Sequence, residues 1–530
     1  NEGIDIPAVN QVIMLRPTQS AIVFVQQLGR GLRKLENKDY LTVIDFIGNY
    51  KNNFLVPIAL YGDTSYNKDS LRKFMSSGSS LIPGTSTINF DRISRDRIFE
   101  AIDSANMQLK KDLVEDYRLL KFKLGRIPMM IDFIEHGSRD PQLYVNYSKS
   151  YFNFVAAVED SMKGILDASG IKLLELFANE INNSKRVEES LILKHLLNNH
   201  SLNIKDFQFQ IKHEYGYSIS NETINSCVNN LNFKFVTELH NKKLISASLK
   251  YGINILTIEG HLIIKHESFT KLLANTFFQD FLSDNVDYSI RTFNNLFVKN
   301  KFIDGFVLYR KYSRKDVFRI LNWDSNPLAH SVGGYMISMG RSNCPIFVNY
   351  HKDESISSST KYEDGFVSNS EFEWMSKSKR TLQSPDVQAI MNFKRGLRLP
   401  LFIKKSNDEG TEFYFMGDVT PIDNSFEQTA ISDDAGKNVP VVKVKFSMNY
   451  PVEDSIYEYL TSNKNIVTNT SEAEVKISTI TENAHPFRIL PIDEINPYVN
   501  CVPLYDIKVA AGDFRELQNN TVLIYDSFNK

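Results

Sequence analysis

Four residues in the stretch QQLGRGLR, residues 26 to 33, have types and spacing that could do chemistry: Gln26, Gly29, Arg30 and Arg33, in the pattern Gln-x-x-Gly-Arg-x-x-Arg. Two guanidiniums three residues apart on a helix lie on neighbouring faces. They can fork onto phosphate oxygens and neutralise charge that develops during phosphoryl transfer. The same spacing also suits ordinary surface arginines pairing with Glu36 or Asp39. A phosphate-cradling loop is the natural counterpart of such arginines, yet G-x-x-x-x-G-K-[ST] is matched nowhere in the chain. The one Gly-Lys pair, Gly436-Lys437, is followed by Asn438.

The elements that would position these arginines are legible around them. NQVIMLRP and YLTVIDFIG are short runs rich in Val and Ile, as buried parallel strands should be. Between them TQSAIVFVQQLGRGLR carries apolar residues at helical spacing, with Thr18 or Ser20 as its cap. Residues 1–62 therefore read as strand, helix, strand, the unit of a doubly wound α/β sheet whose ligands sit at the carboxyl ends of the strands.

The run NEGIDIPAVNQVIMLRPTQSAIVFVQQLGRGLR resembles motifs V and VI of a superfamily 2 (DEAD/DEAH-type) DNA helicase, at the end of the second of its two RecA-like lobes. The resemblance implies that Gly3 and Asp5 lie at the interlobe cleft, that Gln26, Gly29 and Arg30 contact ATP, and that Arg33 is the arginine finger. In that family ATP and Mg²⁺ are held mainly by the first lobe, through a P-loop and an acidic motif. Neither motif occurs here, so the chain, which opens at Asn1 inside a motif, reads as a fragment that does not hydrolyse ATP alone.

Composition bounds the rest. A length of 530 residues suggests three or four domains, and 42% hydrophobic with 12% aromatic content fills several cores. A net charge of −2 excludes a uniformly basic coat, so any DNA contact must come from local patches. Cys227, Cys344 and Cys501 are too far apart for a paired framework or a spaced metal site, which suits a reducing cytoplasm. No metal site and no membrane span are expected, since a span needs a run of about 18 apolar residues.

A Ser- and Gly-rich connector covers residues 63–91. Residues 92–190 read as helical, with many Lys and Arg interleaved with Asp and Glu, a pattern of ion-paired surface or of a face tracking a DNA backbone. Residues 191–290 have the order of a winged helix: three short amphipathic helices leading to a strand, with Ser220 or Asn221 capping the third. That third helix offers Asn225, Asn229 and Asn230 but no Arg or Lys, which favours packing or protein contact over reading of bases.

Residues 293–460 turn to β, with short alternating runs such as CPIFVNYHK, LPLFIKK and VPVVKVKFSMNY, as a sandwich or open barrel requires. A helix, SRKDVFRILNW, precedes most of them with Ser313 as cap. Several phrases here, among them KYEDGFVSNSEFEWMSKSKRTLQSPDV and YFMGDV, resemble the uncharacterised module that follows the helicase core in bacterial fusions carrying a phospholipase-D-like nuclease. That family's nuclease pattern, H-x-K-x4-D, is absent, and His351, Lys352 and Asp353 are adjacent and cannot share one face of a strand. Asp364 and Glu373 are carboxylates without evident metal partners. The richer motif is EFEWMSKSKR. It places Phe372 and Trp374 on one face of a strand directly before Lys377, Lys379 and Arg380, an arrangement that suits stacking on a base beside held phosphates or, alternatively, a β core.

Residues 464–490 are polar and linker-like, and residues 491–530 begin anew. There CVPLYDIKVAAG resembles the opening of LexA-like serine peptidases, which implies self-cleavage at Ala511-Gly512, although the family's Ser and Lys are not matched in this chain. The combined expectation is a multidomain chain: a partial α/β RecA-like lobe, an α-helical region with a possible winged helix, then a β-rich domain. The reading is an ATP-dependent DNA helicase or translocase of a bacterial restriction or phage-defence enzyme, joined in the same polypeptide to an upstream nuclease and first helicase lobe. The alternatives are a DNA-binding or protein-docking module without motor activity, and a damage-regulated peptidase.

Overall fold

The computed structural model describes residues 8–14, 24, 28, 38, 40–47, 52–63, 65–77, 88–105, 109–241, 243–351, 364–432, 438–461, 487–489, 501–504 and 524–528. The chain divides into two compact units, residues 1–107 with 464–530, and residues 108–463.

In the first unit, β1 (Gln11–Met14) pairs in parallel with β2 (Thr42–Asp45), in a register that sets Met14 opposite Asp45. Met14, Phe24, Leu28, Leu41 and Val43 are buried together as the core under this pair. Three helices follow, α1 (Leu55–Tyr61), α2 (Lys68–Ser77) and α3 (Arg92–Ser104). The Asp91 carboxylate caps α3 by accepting from the Ser94 amide at 3.0 Å, satisfying a donor that the first turn leaves open.

The second unit opens with helices: α4 (Lys110–Leu124), α5 (Met130–Glu135), α6 (Gln142–Ser148), α7 (Tyr151–Val158) and α8 (Ala168–Leu176). Helix α5 is entered through Met129 as its N-cap, with Pro128 just before it. Ion pairs absorb part of the basic surface of α4, as in Lys121–Glu159 at 2.7 Å. At its end α8 widens into a π turn, Phe177–Ile181.

There follow α9 (Val187–Asn198), β3 (Ser201–Asn203), α10 (Ile204–Tyr215) and α11 (Asn221–Leu231). A hairpin, β4 (Thr237–His240) with β5 (Lys243–Ser246), and the short α12 (Ala247–Tyr251) lead to β6 (Leu256–Glu259) and β7 (Leu262–Lys265). The strands form a small antiparallel sheet in the order β3–β7–β6. Ser220, not Asn221, caps α11, its hydroxyl accepting from the Thr223 amide at 3.1 Å. After α13 (Glu267–Leu273), the long α14 (Thr276–Leu296) packs Phe278, Phe281, Leu282, Val286 and Phe293 into the helical core.

The β region begins with β8 (Phe302–Ile303), β9 (Phe306–Val307) and β10 (Lys311–Ser313), then α15 (Arg314–Ile320) and α16 (Ala329–Val332). Ser313 caps α15 in a reciprocal box with Asp316. The main strands are β11 (Ile346–Asn349), β12 (Gly365–Ser368), β13 (Glu371–Met375), β14 (Pro400–Lys404), β15 (Glu412–Pro421), β16 (Glu427–Ser432) and β17 (Asn438–Met448). Helix α17 (Pro385–Met391) follows β13, and α18 (Asp454–Thr461) follows β17.

The sequence predicts a sandwich or open barrel; the strands instead form one curled, mixed sheet of eight, ordered β11–β14–β15–β17–β13–β12, with β10 also on β15 and β16 also on β17. The β11–β14 pair is parallel and the remaining pairs are antiparallel. The curl has a local cause. The β14–β15 register shifts between Leu401 and Phe402, and Gly417 sits opposite at φ +96°, a conformation that favours glycine. The bend lets β15 pair with β10 through its first residues and with β17 through its last.

In residues 464–530, β18 (Phe487–Ile489), β19 (Cys501–Leu504) and β20 (Ile524–Phe528) form an antiparallel sheet in the order β18–β20–β19.

Candidate functional site

Gly3, Asp5, Gln26, Gly29, Arg30, Arg33, Ala511 and Gly512 lie outside the described residues, as do Lys352 and Asp353. In the same unit the carboxyl end of β2 is described. A cavity of about 270 Å³ opens there, lined by Phe24, Leu28, Val56, Leu60, Asp45 and Asp91 among others. Burial raises the Asp45 carboxyl to about 6.

The EFEWMSKSKR segment is described in full and departs from the stacking expectation. Phe372 and Trp374 do share one face of β13, but that face is covered: their exposures are 0% and 3%. The strand lies between β12 and β17, with Phe372 opposite Phe446 and Trp374 opposite Val444. Trp374 packs edge-on against Tyr335 at 5.0 Å, and Phe372 against Phe366 at the same spacing. Both rings fill the core of the curled sheet, so neither offers a face to a base. Trp323 is likewise held, packed on Phe318 at 4.5 Å with its indole N–H donating to Asn343 at 2.8 Å.

Of the cations that follow, Lys377 and Arg380 gather around Tyr335 and Asp386. At the end of β13 the buried Ser376 hydroxyl accepts from the Val442 amide at 2.9 Å. Lys377 is partly buried, with Nζ 4.7 Å from the centre of the Tyr335 ring. Lys379 is exposed at φ +62°. Arg380 donates to Asp386 at 2.7 Å, and the Tyr335 hydroxyl donates to the same carboxylate oxygen at 2.7 Å. Burial works against the Asp386 carboxylate, but the Arg380 and Tyr335 hydrogen bonds outweigh it and hold its pKa below the ordinary value. Lys377 is pushed the other way, lowered first by burial and then by the Arg380 charge.

A further cation, missed in the sequence reading, belongs to this neighbourhood. Arg314 lies with its guanidinium 5.3 Å from the ring centres of both Phe347 and Phe413, and its charge is one of those that depress Lys377. Its position directly after the capping Ser313 was the available signal, since a residue at the head of a helix inserted before a sheet points back toward the strands.

The carboxylates Asp364 and Glu373 have structural partners. Asp364 accepts from the Met375 amide at 2.8 Å, and Glu373 pairs with Lys443 at 2.7 Å. His351 interacts with the Leu460 carbonyl at 2.9 Å. Among the described residues no cluster of His, Cys, Asp and Glu could hold a metal ion, and no helix is long and apolar enough to cross a membrane.

A second feature sits where the helical and β regions meet. The Arg319 guanidinium lies 2.8 Å from Glu189 and 3.3 Å from Asp316, and donates to the carbonyls of Glu180 and Ile181 at 2.5 and 3.2 Å. The π turn that ends α8 carries those two carbonyls. Arg186 donates to the Arg319 carbonyl, to Ser226 and to Asn322, while Asn230 donates to Glu189 at 2.6 Å. Ser226 and Asn230 of α11 are therefore engaged with Arg186 and Glu189 of the same chain.

Residues 306–460 match the family profile described as Domain of unknown function (DUF3427). Residues 113–295 match one described as Domain of unknown function (DUF8090). A stretch of 47 residues is 45% identical to the Saccharomyces cerevisiae protein named "Putative ATP-dependent helicase IRC3". The chain carries a helicase-like stretch. That stretch covers 9% of this chain and 7% of the yeast protein, so the chain spans a small share of the relative it matches.

Proposed function

We propose that this chain is part of an ATP-dependent DNA helicase or translocase of a restriction or phage-defence enzyme. In this reading Gly3, Asp5, Gln26 and Gly29 border the nucleotide, while Arg30 and Arg33 stabilise phosphoryl transfer from ATP. The ATP and its Mg²⁺ are gripped by a first lobe bearing the P-loop that this sequence lacks. The observation that carries the reading is the parallel pairing of β1 with β2, with Phe24 and Leu28 buried in the same core, which is compatible with the frame that the motif V and VI resemblance calls for. The 45% identity over 47 residues to a protein named as a putative ATP-dependent helicase also supports it.

Two finer assignments belong to the same proposal. Helices α9 to α11 with the β3–β7–β6 sheet are read as a winged helix used for packing, because Thr223, Ser226 and Asn230 of α11 are engaged with Asn322, Arg186 and Glu189. Lys377, Lys379 and Arg380 are read as the β region's contact with DNA phosphates, without Phe372 and Trp374. Residues 491–530 are read as the start of a LexA-like domain cut at Ala511-Gly512, checked by mass spectrometry after alkaline incubation of a chain that includes the family's Ser and Lys.

The motor reading is tested by joining the chain to a lobe with a P-loop and acidic motif and measuring DNA-stimulated ATP hydrolysis. Arg33→Ala should lower turnover by about 10³ to 10⁵ while ATP still binds. An effect of only a few-fold would remove Arg33 from that role and favour a binding module without a motor.

A further inference from the structure

The cavity at the carboxyl end of β2 has an uneven wall. Phe24, Leu28, Val56 and Leu60 are among its apolar members, and among the described residues its charged members are Asp45 and Asp91. The two carboxylates are not equivalent. Asp91 spends both oxygens at the head of α3, accepting from the Ser94 amide at 3.0 Å and from the Ser94 hydroxyl at 2.5 Å. Asp45 is half-buried in the wall and has no hydrogen bond or ion pair among the described residues.

A carboxylate on an apolar wall without a partner is unfavourable, and a cation arriving beside it relieves that cost. An anion finds no counter-charge here, because among the described residues the wall carries no Lys, Arg or His. At about 270 Å³ the cavity falls just short of the roughly 300–1,000 Å³ usual for drug-sized ligands, so its occupant is smaller than a nucleotide. Its place also suits a ligand, since β1 and β2 run parallel and open α/β sheets take ligands at the carboxyl ends of their strands. We propose that this cavity binds a small organic cation: an apolar body of about one ring against Phe24 and Leu28, with one ammonium or amidinium group on Asp45. The site makes no use of Arg30 or Arg33, so it is independent of the motor reading.

Only an ionised Asp45 attracts a cation. Burial raises its carboxyl to about 6, so binding should strengthen as pH rises through that value. Of the elements around it, β1 has no titratable side chain, and α1 brings Tyr61, which burial pushes up to about 12 and keeps neutral. The head of α3 brings Asp91, Arg95 and Arg97, the last donating to the Ile47 carbonyl at 2.6 Å. None of these charges moves the Asp45 carboxyl; burial alone does.

The 530-residue chain is titrated by calorimetry with benzylamine, with benzamidine and with benzyl alcohol, which has the ring of benzylamine without its charge. Near neutral pH both cations should bind about tenfold or more tightly than the alcohol, as a charge-assisted contact in a partly desolvated site allows. One pH unit below the Asp45 value, they should lose about tenfold. Asp45→Asn keeps the shape and removes the charge, so it should bring benzylamine down to the level of the alcohol and flatten the pH dependence. Val56→Phe, at a half-buried wall position, fills the cavity and should weaken all three probes. The folded Asp45 value of about 6 exceeds the unfolded value of about 3.9, so its contribution to stability is complete below the unfolded value and lost as pH rises through about 6. Without ligand near neutral pH, Asp45→Asn should therefore melt at or above the wild-type temperature.

Equal binding of benzylamine and benzyl alcohol would overturn the proposal, because the cavity would then read apolar surface alone. Benzylamine binding that survives both Asp45→Asn and Val56→Phe would overturn it too, by placing the cation elsewhere on the chain. Absence of binding by both cations near neutral pH would remove this ligand class from the cavity.

Discussion

Arg319 Nη1 lies 2.8 Å from Glu189 Oε2, and solvent reaches almost none of either side chain. The pair joins α15 of the β region to α9 of the helical region. Removing Arg319 takes from Glu189 its shortest ion pair and leaves it Arg186 and Asn230 in a low-dielectric interior, so Arg319→Met should reduce unfolding free energy by about 3–5 kcal/mol. Adding Glu189→Leu should then cost less than it does in the wild-type chain, since the Arg319 contact is already gone. Urea denaturation of the two single variants and the double variant measures the coupling, and strictly additive losses would show that the pair does not act as a unit.

Trp374→Ala should destabilise the β region by about 3–5 kcal/mol, the range for deleting a buried aromatic side chain. Its indole fills the space between Tyr335 and Phe446. The loss should appear in a denaturant melt even without nucleic acid present, and an unchanged melt would contradict the core placement.

Lys379 offers a cleaner probe of DNA contact than its neighbours. Its φ of +62° is strained for a side chain with a Cβ, so Lys379→Gly should hold or raise stability by up to about 1 kcal/mol while deleting one charge. If this lysine meets a phosphate, the salt dependence of DNA binding should fall by about one charge equivalent. An unchanged slope would place Lys379 outside the interface.

How much of this was legible beforehand can be judged from a few residues. Ser313 and Ser220 were readable as caps because capping is local chemistry, and both cap as expected. The alternation in EFEWM gave the shared face of Phe372 and Trp374 correctly. It could not say which side that face meets, because this depends on β12 and β17, brought in from elsewhere in the chain. The same limit hid the parallel β11–β14 pair and the burial of Arg319, which in SRKDVFRILNW reads as one more surface charge. The residues proposed to meet ATP are carried by motif spacing alone.

Asp284 should impose a pH dependence on stability. Its carboxylate accepts from the Met130 and Ile131 amides at 2.7 and 3.2 Å, but burial, helped by Asp132 and Asp287, raises its pKa to about 7. The folded value therefore exceeds the unfolded value of about 3.9, and the folded chain holds this proton more tightly. The contribution is complete below the unfolded value and is lost as pH rises through about 7. Asp284→Asn removes the titration, so the melting temperature of wild type relative to the variant should fall between pH 4.5 and pH 7.5, values chosen to span roughly that window. A constant difference across it would exclude Asp284 as the titrating group.

The buried contacts around Arg319 have a consequence for how the molecule opens. One family profile ends at residue 295 and the next begins at residue 306, yet Arg186, Glu189, Asn230, Asp316 and Asn322 tie together the elements on either side. A backbone break in the short link between α14 and β8 would leave that junction intact, and the two pieces would stay associated as a noncovalent complex. Amide protons in α9 and α15 would then exchange with solvent in a single opening event. The border drawn by sequence families is not a border of cooperativity.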